Sequence, residues 1–202
     1  SSSIDLSFDD NSFVGENSYD YAGISVWSVG DVDGDGLDDI LEGATGNDDG
    51  GSDIGKAYLI LGASLGSSSS IDLSLADYSF VGESSNDYAG YSVSSAGDVD
   101  GDGLGDVLIG AFGNDDGDDY AGKVYLVLGR SLGADAEINL SDADYAFIGE
   151  GAHDYAGFSV SNAGDVDGDG LDDLGVAAYR NDDGGSNAGK AYLVLGASLG
   201  SD

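Results

Sequence analysis

The most chemically distinctive residues of this chain are closely spaced aspartates. In residues 30–39, Asp31, Asp33 and Asp35 alternate with other residues, and Asp39 follows after a bend that contains glycine. Carboxylates about 5 Å apart repel by roughly 3 kcal/mol at an effective dielectric near 20, so this crowding is unfavourable unless a cation binds among them. The same spacing recurs at Asp98, Asp100, Asp102 and Asp106 and at Asp165, Asp167, Asp169 and Asp173.

The ligand chemistry of these three acidic stretches points to calcium. Carboxylate oxygens at alternating positions suit a hard cation with many ligands and tolerant geometry, which favours Ca²⁺ over Mg²⁺. Gly34 and Gly36 allow the backbone to wrap an ion with positive φ angles at little steric cost. Solvated acidic turns without metal are the alternative, but they do not explain three copies of one ligand spacing. We therefore predict three calcium sites per chain.

The composition excludes several classes of partner. The 202-residue chain carries 40 Asp and Glu against five Lys and Arg, for a formal net charge of −35. Nucleic acid and anionic membrane surfaces require a basic face, so neither is expected. No Cys is present, which excludes disulfide and thiol chemistry. The chain also lacks Met and any apolar run of about 18 residues, so we expect a processed or excised piece without membrane insertion.

The chain repeats itself with a period of 67 residues. Aligned without a gap, residues 1–66 and 68–133 share about seven identities in ten, and residues 135–200 follow the same frame. We predict one all-β domain over residues 1–202, in which a single structural unit is used three times, in the repeats 1–66, 67–133 and 134–200.

Each repeat predicts four short strands and almost no helix. Clusters of Gly, Asp, Asn and Ser separate short apolar runs, and no run shows a sustained period of about 3.6 residues. The predicted strands of the first repeat are residues 12–16, 24–29, 40–44 and 56–61.

The fourth predicted strand is apolar on both of its faces. One face carries Ala57, Leu59 and Leu61, and the other carries Tyr58 and Ile60. A sheet with one solvated face would alternate apolar and polar residues, so a neighbouring sheet must cover each side. Four-stranded units stacked around an axis form a β-propeller, and a linear solenoid is the competing arrangement.

The order of motifs within one repeat resembles the FG-GAP repeat. In the first repeat these motifs are DYAGISV at 20–26, GDVDGDG at 30–36, GA at 43–44 and GKAY at 55–58. FG-GAP repeats form the blades of the calcium-binding β-propeller in integrin α subunits and in bacterial relatives. This chain departs from the pattern in having Ala-Gly for Phe-Gly, and its residues at the pattern's proline are Thr45, Phe112 and Tyr179.

The resemblance implies a metal site at the turn between the first and second strands of each blade. Its ligands would be the four aspartates of each acidic stretch, together with one backbone carbonyl. The last aspartate of each set would be bidentate: Asp39, Asp106 and Asp173. The carbonyl ligands would come from Leu37, Leu104 and Leu171.

The same resemblance makes the two ends of the chain complementary. Residues 12–16 would form an outermost strand whose inner partners are missing, and residues 190–195 would form a third strand that lacks an outer one. Three blades are too few to close a propeller, which usually has four to eight. We therefore expect two chains to form a six-bladed C2 homodimer, with an excised part of a longer, self-closing propeller as the alternative.

Two sets of loops differ most between the repeats, and the resemblance places both on the face opposite calcium, where ligands bind. Sequence drift under weak constraint is the alternative explanation. Asn47, Asp48 and Asp49 recur in each repeat and could, with Asp20, hold a second metal or a sugar, although such clusters are more often turn formers. The candidates for contact with a protein or glycan ligand are Tyr19, Phe112, Tyr120, His153, Tyr179 and Arg180.

These features together predict a calcium-stabilised binding or adhesion module, extracellular or at the cell surface, because millimolar calcium is an extracellular condition. A lectin-like propeller and a purely architectural repeat of a larger surface protein are the alternatives. The first acidic stretch also fits an EF-hand through Glu42, but Ile109 and Val176 stand at that position in the other repeats. We expect no enzyme, because Cys is absent, the single His is unrepeated and no nucleophile motif is present.

Overall fold

The computed structural model describes residues 6, 11–66 and 70–199. Strands dominate this part of the chain, and its only helical elements are short 3₁₀ turns. The prediction of an all-β fold is therefore confirmed. The strands are β1 (Ser12–Val14), β2 (Ala22–Gly30), β3 (Asp39–Ala44), β4 (Lys56–Ile60), β5 (Ser70–Asp72), β6 (Tyr78–Val81), β7 (Ala89–Gly97), β8 (Asp106–Ala111), β9 (Lys123–Val127), β10 (Glu137–Asn139), β11 (Tyr145–Ile148), β12 (Ala156–Gly164), β13 (Asp173–Ala178) and β14 (Lys190–Val194).

The strands form one antiparallel sheet per repeat, and the first two sheets take their outermost strand from the following repeat. Sheet 1 has the order β2-β3-β4-β6, and sheet 2 has the order β7-β8-β9-β11. Sheet 3 contains β12, β13 and β14, and no further strand lies beside β14 in the described ranges. No helix in those ranges is long and apolar enough to cross a membrane.

Two short strands run parallel to outer strands. β5 pairs with β1, with Phe13 opposite Ile71, and β10 pairs with β6 in the equivalent way, with Phe80 opposite Ile138. β1 corresponds by the 67-residue period to β6 and β11, and among the described residues it pairs only with β5. The predicted strand at 12–16 is shorter than expected, because the bend at Gly15 and Glu16 starts the loop toward β2.

The sheets pack face to face around two apolar clusters. Between sheets 1 and 2, Leu41 and Leu59 pack in one cluster with Ile109 and Tyr125. An equivalent cluster joins Leu108 and Leu126 of sheet 2 to Leu174 and Val176 of sheet 3. Each fully buried aliphatic or aromatic side chain contributes about 1.5–3 kcal/mol relative to an exposed one, which makes these clusters the main source of stability.

The predicted burial of the fourth strand on both faces holds in two of three repeats. All five residues of β4 and of β9 are buried, because side chains from neighbouring elements cover both faces of each strand. In β14 no residue is buried and Leu193 is 56% exposed, because no further sheet covers sheet 3 in the described part of the chain. The architecture is consistent with propeller blades, whereas ring closure, the number of blades and the homodimer stay predictions.

Glycine sets the distance between adjacent sheets near their inner strands. A Cβ on Gly43 would lie 1.9 Å from the carbonyl oxygen of Gly90, and one on Gly110 would lie 2.2 Å from that of Gly157. Only glycine permits so close an approach of two backbones. The third repeat has Ala177 at this position, on the face of sheet 3 that points away from sheet 2.

Candidate functional site

Each acidic stretch forms the loop that joins the two innermost strands of its sheet. In the first loop, which connects β2 to β3, Asp31 accepts hydrogen bonds from the backbone N–H groups of Gly34 at 2.7 Å and Gly36 at 2.9 Å. Both glycines have positive φ, at 80° and 90°, as predicted. Burial acts to raise the pKa of Asp31, but these N–H groups outweigh it, so its pKa is lowered.

Three carboxylates converge in each loop. One ligand oxygen from each member lies within 4.8 Å of the others, a separation that a single cation bridges: Asp31, Asp33 and Asp39; Asp98, Asp100 and Asp106; Asp165, Asp167 and Asp173. The third predicted aspartate, Asp35 in the first loop, is not in this group, because its Oδ1 accepts the N–H of Leu37 at 2.8 Å. Asp102 and Asp169 make the same bond to Leu104 and Leu171.

The last aspartate of each group also holds its loop to the sheet. Asp39 is fully buried and accepts hydrogen bonds from Val32 N–H and Gly62 N–H, both at 2.8 Å. Burial raises its pKa, as do the charges of Asp33 and Asp31. For Asp106 burial is again the main cause, and the pKa rises to about 6. A bound cation would offset the negative charge of these buried carboxylates. The donor set therefore fits calcium, which the aspartates would hold by their carboxylate oxygens.

The loops of adjacent sheets are hydrogen-bonded to each other. Gly105 N–H donates to the Asp31 carbonyl at 2.8 Å, and Asp172 N–H donates to the Asp98 carbonyl at 3.1 Å. These donors stand at the position of Asp38 in the first stretch, which is not among the predicted ligands. Sequence reasoning missed this role, because the bond uses the backbone and leaves no requirement on the side chain.

The second loop differs from the other two by a nearby cation. The guanidinium of Arg130 forms an ion pair with Asp100. The equivalent residues of the other repeats, Ala63 and Ala197, carry no charge. A metal at this loop therefore has to compete with a fixed positive charge, which is absent from the other two.

The variable loops lie at the opposite end of each sheet from the acidic loops. In sheet 1, Gly30 pairs with Asp39 beside the acidic loop, whereas Ala22 pairs with Ala44 at the other end, where the loops β1–β2 and β3–β4 emerge. The resemblance implied this separation, and the strand pairing shows it.

The recurring Asn-Asp-Asp segment forms a polar frame at this end. Asn47 is buried and donates to Asp20 at 3.3 Å, while Asp48 accepts the N–H of Asp53 at 2.7 Å. Asp49 pairs with the ammonium group of Lys56 at 2.9 Å. These bonds engage the side chains within each repeat, as the turn-forming interpretation predicts.

Most of the predicted contact residues meet in one aromatic cluster across the loop ends of sheets 2 and 3. Its centre is Tyr155, whose ring centroid lies 5.9 Å from Phe112, 5.7 Å from Tyr120, 6.2 Å from His153 and 5.7 Å from Tyr179. The cluster continues through further ring contacts to Tyr88, Tyr91 and Phe158. The Arg180 guanidinium covers it, 5.1 Å from the Tyr155 centroid and 5.2 Å from that of Tyr179.

The sequence prediction missed the central residue and included one outlier. Tyr155 has a φ of 57°, and its repeat equivalents Tyr21 and Tyr88 have φ of 56°. A bulky residue with a positive φ is strained, and such strain is concentrated at functional sites. The signal available in the sequence was that this tyrosine recurs in the Asp-Tyr-Ala-Gly segment of each repeat. Tyr19 lies on the first repeat, 78% exposed, and makes none of the ring contacts found among the described residues.

Arg180 stands where the other repeats require glycine. A Cβ on Gly46 would lie 2.3 Å from the Tyr19 carbonyl oxygen, and one on Gly113 would lie 2.1 Å from that of Asn86. The third repeat accommodates Arg180 with a longer backbone hydrogen bond to Asp154, 3.4 Å against 3.0 and 3.1 Å in the other two. The guanidinium is therefore a specific feature of the third repeat.

Comparison with known proteins identifies the repeat. A family model described as FG-GAP repeat matches residues 89–127, which run from β7 to β9 and include the second acidic loop. The chain is 33% identical over 169 residues to integrin alpha-PS2 of Drosophila melanogaster, covering 81% of this chain and 12% of that protein. It is 32% identical over 179 residues to integrin alpha pat-2 of Caenorhabditis elegans, covering 80% of this chain and 13% of that protein.

A third similarity covers nearly the whole chain. Integrin alpha-5 of Xenopus laevis is 31% identical over 196 residues, covering 93% of this chain and 17% of that protein. The chain thus spans less than a fifth of the length of these relatives. The repeat, its acidic loops and these similarities agree: the chain is an integrin-like FG-GAP repeat protein.

Proposed function

We propose that this protein is a calcium-stabilised adhesion module, extracellular or at the cell surface, that binds a protein ligand on its loop face. The observation that carries the proposal is the aromatic cluster around Tyr155 with the Arg180 guanidinium above it. A few residues supply most of the binding energy in protein interfaces, and tyrosine and arginine are enriched among them. The similarity to integrin α chains supports adhesion as the class of function.

Calcium serves the scaffold in this proposal. Each acidic loop lies at the end of its sheet remote from the aromatic cluster, so an ion there would stabilise the β2–β3 turn or its equivalent without touching a ligand. The carboxylate groups support one site per repeat, three per chain. Leu37, Leu104 and Leu171 would add their carbonyl oxygens, and Asp35, Asp102 and Asp169 complete the predicted ligand set.

Calcium stoichiometry tests the metal sites. Titration calorimetry is expected to find three sites per chain, and Asp33→Asn is expected to leave two, because it removes one charge from the first group. Asp38→Asn is the matched control, since this neighbouring acid lies outside the group. Asp35→Asn separately tests the predicted ligand that lies outside this group. Equal calcium binding by the Asp33 and Asp38 variants would contradict the assignment.

Binding screens test the ligand surface. We would probe purified extracellular-matrix proteins and a glycan array in millimolar calcium. Against a matrix protein that binds, Arg180→Gly and Tyr179→Ala are expected to weaken binding by about tenfold or more. Arg180→Gly restores the residue of the other two repeats and should fold normally. Tyr19→Ala is the control, because Tyr19 is exposed outside the cluster.

The outcomes separate the competing functions. Glycan binding that depends on Tyr179 would instead make this a lectin-like propeller, for which the exposed ring of Tyr179 is the favouring observation. No binding in either screen would favour an architectural repeat. We propose no catalytic role, because the acid that His153 pairs with in the described ranges is exposed Asp119, at 3.3 Å. Turnover of a chromogenic glycoside panel would contradict this.

A further inference from the structure

Arg130 stands beside the second acidic loop and has no counterpart at the other two. It follows β9 in a short 3₁₀ turn, and its guanidinium forms an ion pair with Asp100. The turn is attached to the loop, because Gly129 N–H donates to the Asp106 carboxylate at 2.9 Å. At the position of Arg130 the other two repeats have alanine: Ala63 and Ala197.

The arginine pairs with the carboxylate oxygen that is most available to a metal. In each loop, Oδ1 of the second aspartate accepts the N–H of the third aspartate, at 3.1 Å in the first two loops and 3.2 Å in the third. Oδ2 is therefore the oxygen that the backbone N–H groups of the loop leave free. In the second loop this atom, Oδ2 of Asp100, is buried and lies against the Arg130 guanidinium. A cation and the arginine therefore compete for one oxygen.

The exposure of the second aspartate differs between the repeats. Asp33 and Asp167 are exposed, whereas the side chain of Asp100 is only 14% exposed. The packing of the sheets does not explain why Asp100 and Asp33 differ, because sheet 2 bonds to the first loop just as sheet 3 bonds to the second. Arg130 is therefore the cause of the lower exposure of Asp100.

The Arg130 side chain is able to leave Asp100. It is 52% exposed, and in the described part of the chain its one ion pair is with Asp100. A cavity of about 240 Å³ lies beside the pair, with Tyr145 and Leu171 among its lining residues. The guanidinium therefore has room to turn away from the carboxylate.

We propose that Arg130 is a built-in counter-ion that makes the second loop a weaker calcium site than the other two. Without metal, its guanidinium neutralises part of the negative charge of the loop. Arg130 must be displaced before Asp100 can give Oδ2 to calcium, and its charge then still repels the ion. The second site should therefore fill at a calcium concentration about tenfold or more higher than the others. This inference rests on the calcium sites of the proposed function.

The place of the second loop gives this difference a consequence for the whole molecule. The loop bonds to both of its neighbours, since Gly105 N–H donates to the Asp31 carbonyl and the Asp98 carbonyl accepts the N–H of Asp172. A counter-ion at this loop helps to keep the three sheets connected when calcium is scarce. The response to calcium should therefore have two steps, the first at the outer loops and the second at the middle loop.

NMR titration in chelator-buffered calcium tests the order of filling. Each loop contains a glycine whose N–H donates to the first aspartate and reports on that loop: Gly36, Gly103 and Gly170. In the wild type, the Gly103 resonance is expected to shift at a calcium concentration about tenfold or more above that of the other two. In Arg130→Ala, all three should shift together. Simultaneous shifts in the wild type would overturn the proposal.

Moving the arginine to another repeat tests whether it is sufficient. Ala63→Arg is expected to delay the Gly36 shift in the same way, because the first loop has the same hydrogen bonds. Lys190→Met is the matched control for the loss of a positive charge, since Lys190 lies at the opposite end of its sheet from the acidic loop. It should leave the order of filling unchanged. An unchanged Gly36 titration in Ala63→Arg, or a changed order in Lys190→Met, would overturn the proposal.

Thermal unfolding separates a counter-ion from a merely structural residue. In EDTA, Arg130→Ala should lower the melting temperature by about 2 °C, because the loop loses its only neutralising charge. In excess calcium the same variant should melt higher than the wild type, because its second site binds calcium more tightly. An equal loss in both conditions would overturn the proposal. Three equal sites would overturn this inference alone, whereas no calcium binding at all would also overturn the calcium sites of the proposed function.

Discussion

At the scale of single residues, Glu42 shows how burial changes the pKa of a carboxyl group outside the three aspartate groups. It lies in β3, between Val26 and Tyr58 on the neighbouring strands, and is only 4% exposed. Ile109 and Val176 occupy the equivalent positions of the other repeats. Burial raises the pKa of Glu42 to about 7. This position in a strand also explains why the EF-hand match of the first loop has no structural counterpart.

The pH dependence of stability tests this effect. Because the pKa of Glu42 is raised on folding, the native state holds its proton to higher pH than the unfolded state does. The free-energy cost of burying the ionised Glu42 carboxylate is therefore absent below about pH 4.5. This cost grows as the pH rises toward 7 and is constant above that value. Glu42→Gln should increase the free energy of unfolding by roughly 1–3 kcal/mol at pH 8 and leave it unchanged at pH 4.

Urea denaturation at several pH values in excess calcium measures this difference. Glu42→Asp serves as the control that keeps the charge. A gain from Glu42→Gln that is the same at pH 4 and pH 8 would show that the carboxylate is not protonated on folding.

At the scale of elements, a lysine on the third strand of each sheet joins two loops. Lys123 Nζ contacts Glu83 at 2.8 Å and Asp116, and lies 5.0 Å from the Tyr125 ring centroid. The hydrogen bonds that the Lys190 ammonium donates to Asp183 and Glu150 raise the pKa of Lys190, although that side chain is partly exposed. The same ion triad therefore occurs twice with a buried lysine, Lys56 and Lys123, and once near solvent, which provides an internal comparison.

Substitutions of the buried and the partly exposed lysine are expected to lower the free energy of unfolding by different amounts. Lys123→Met leaves two carboxylates without a partner beside a buried strand, so it should lower the free energy of unfolding by about 3 kcal/mol. Lys190→Met should lower the free energy of unfolding much less, because solvent already screens the triad. Urea denaturation at low protein concentration measures both. An equally large cost at Lys190 would indicate that its side chain is covered in solution.

At the scale of the whole molecule, the acidic loops connect the three sheets along one end. The second and third loops each donate a backbone hydrogen bond to the loop before them, so a metal that orders one loop also helps to order the loop bonded to it. The apolar clusters join the same sheets through their faces. Metal binding and sheet stacking should therefore be lost together rather than repeat by repeat.

Calcium removal is expected to destabilise the molecule in one step. At 100 times its dissociation constant, each site contributes about 2.7 kcal/mol. With three sites, EDTA should lower the melting temperature by about 15 °C or more, in a single calorimetric transition. Added calcium in excess of EDTA should restore it, and magnesium should do so less well. An unchanged melting temperature, or three separate transitions, would contradict this coupling.

Local features of the molecule could be predicted, because their determinants lie close together in the chain. The acidic loop has its carboxylates within nine residues, and its two glycines have the positive φ angles that the spacing predicts. The short apolar runs predict the strands to within a few residues. The aromatic cluster was predicted in part: Phe112, Tyr120, His153, Tyr179 and Arg180 meet, but Tyr19 stands apart and Tyr155 was missed.

By itself, the sequence determined the repeat, the all-β class and the acidic loops, since a 67-residue period and an alternating ligand pattern are properties of neighbouring residues. Only the tertiary structure decided which repeats exchange outer strands in parallel and antiparallel pairs, how successive acidic loops bond through their backbones, and that Tyr155 joins five contact residues. These features depend on the distance and angle between stacked sheets. Close packing at glycines such as Gly43 sets that distance, and no single repeat contains both sides of the contact.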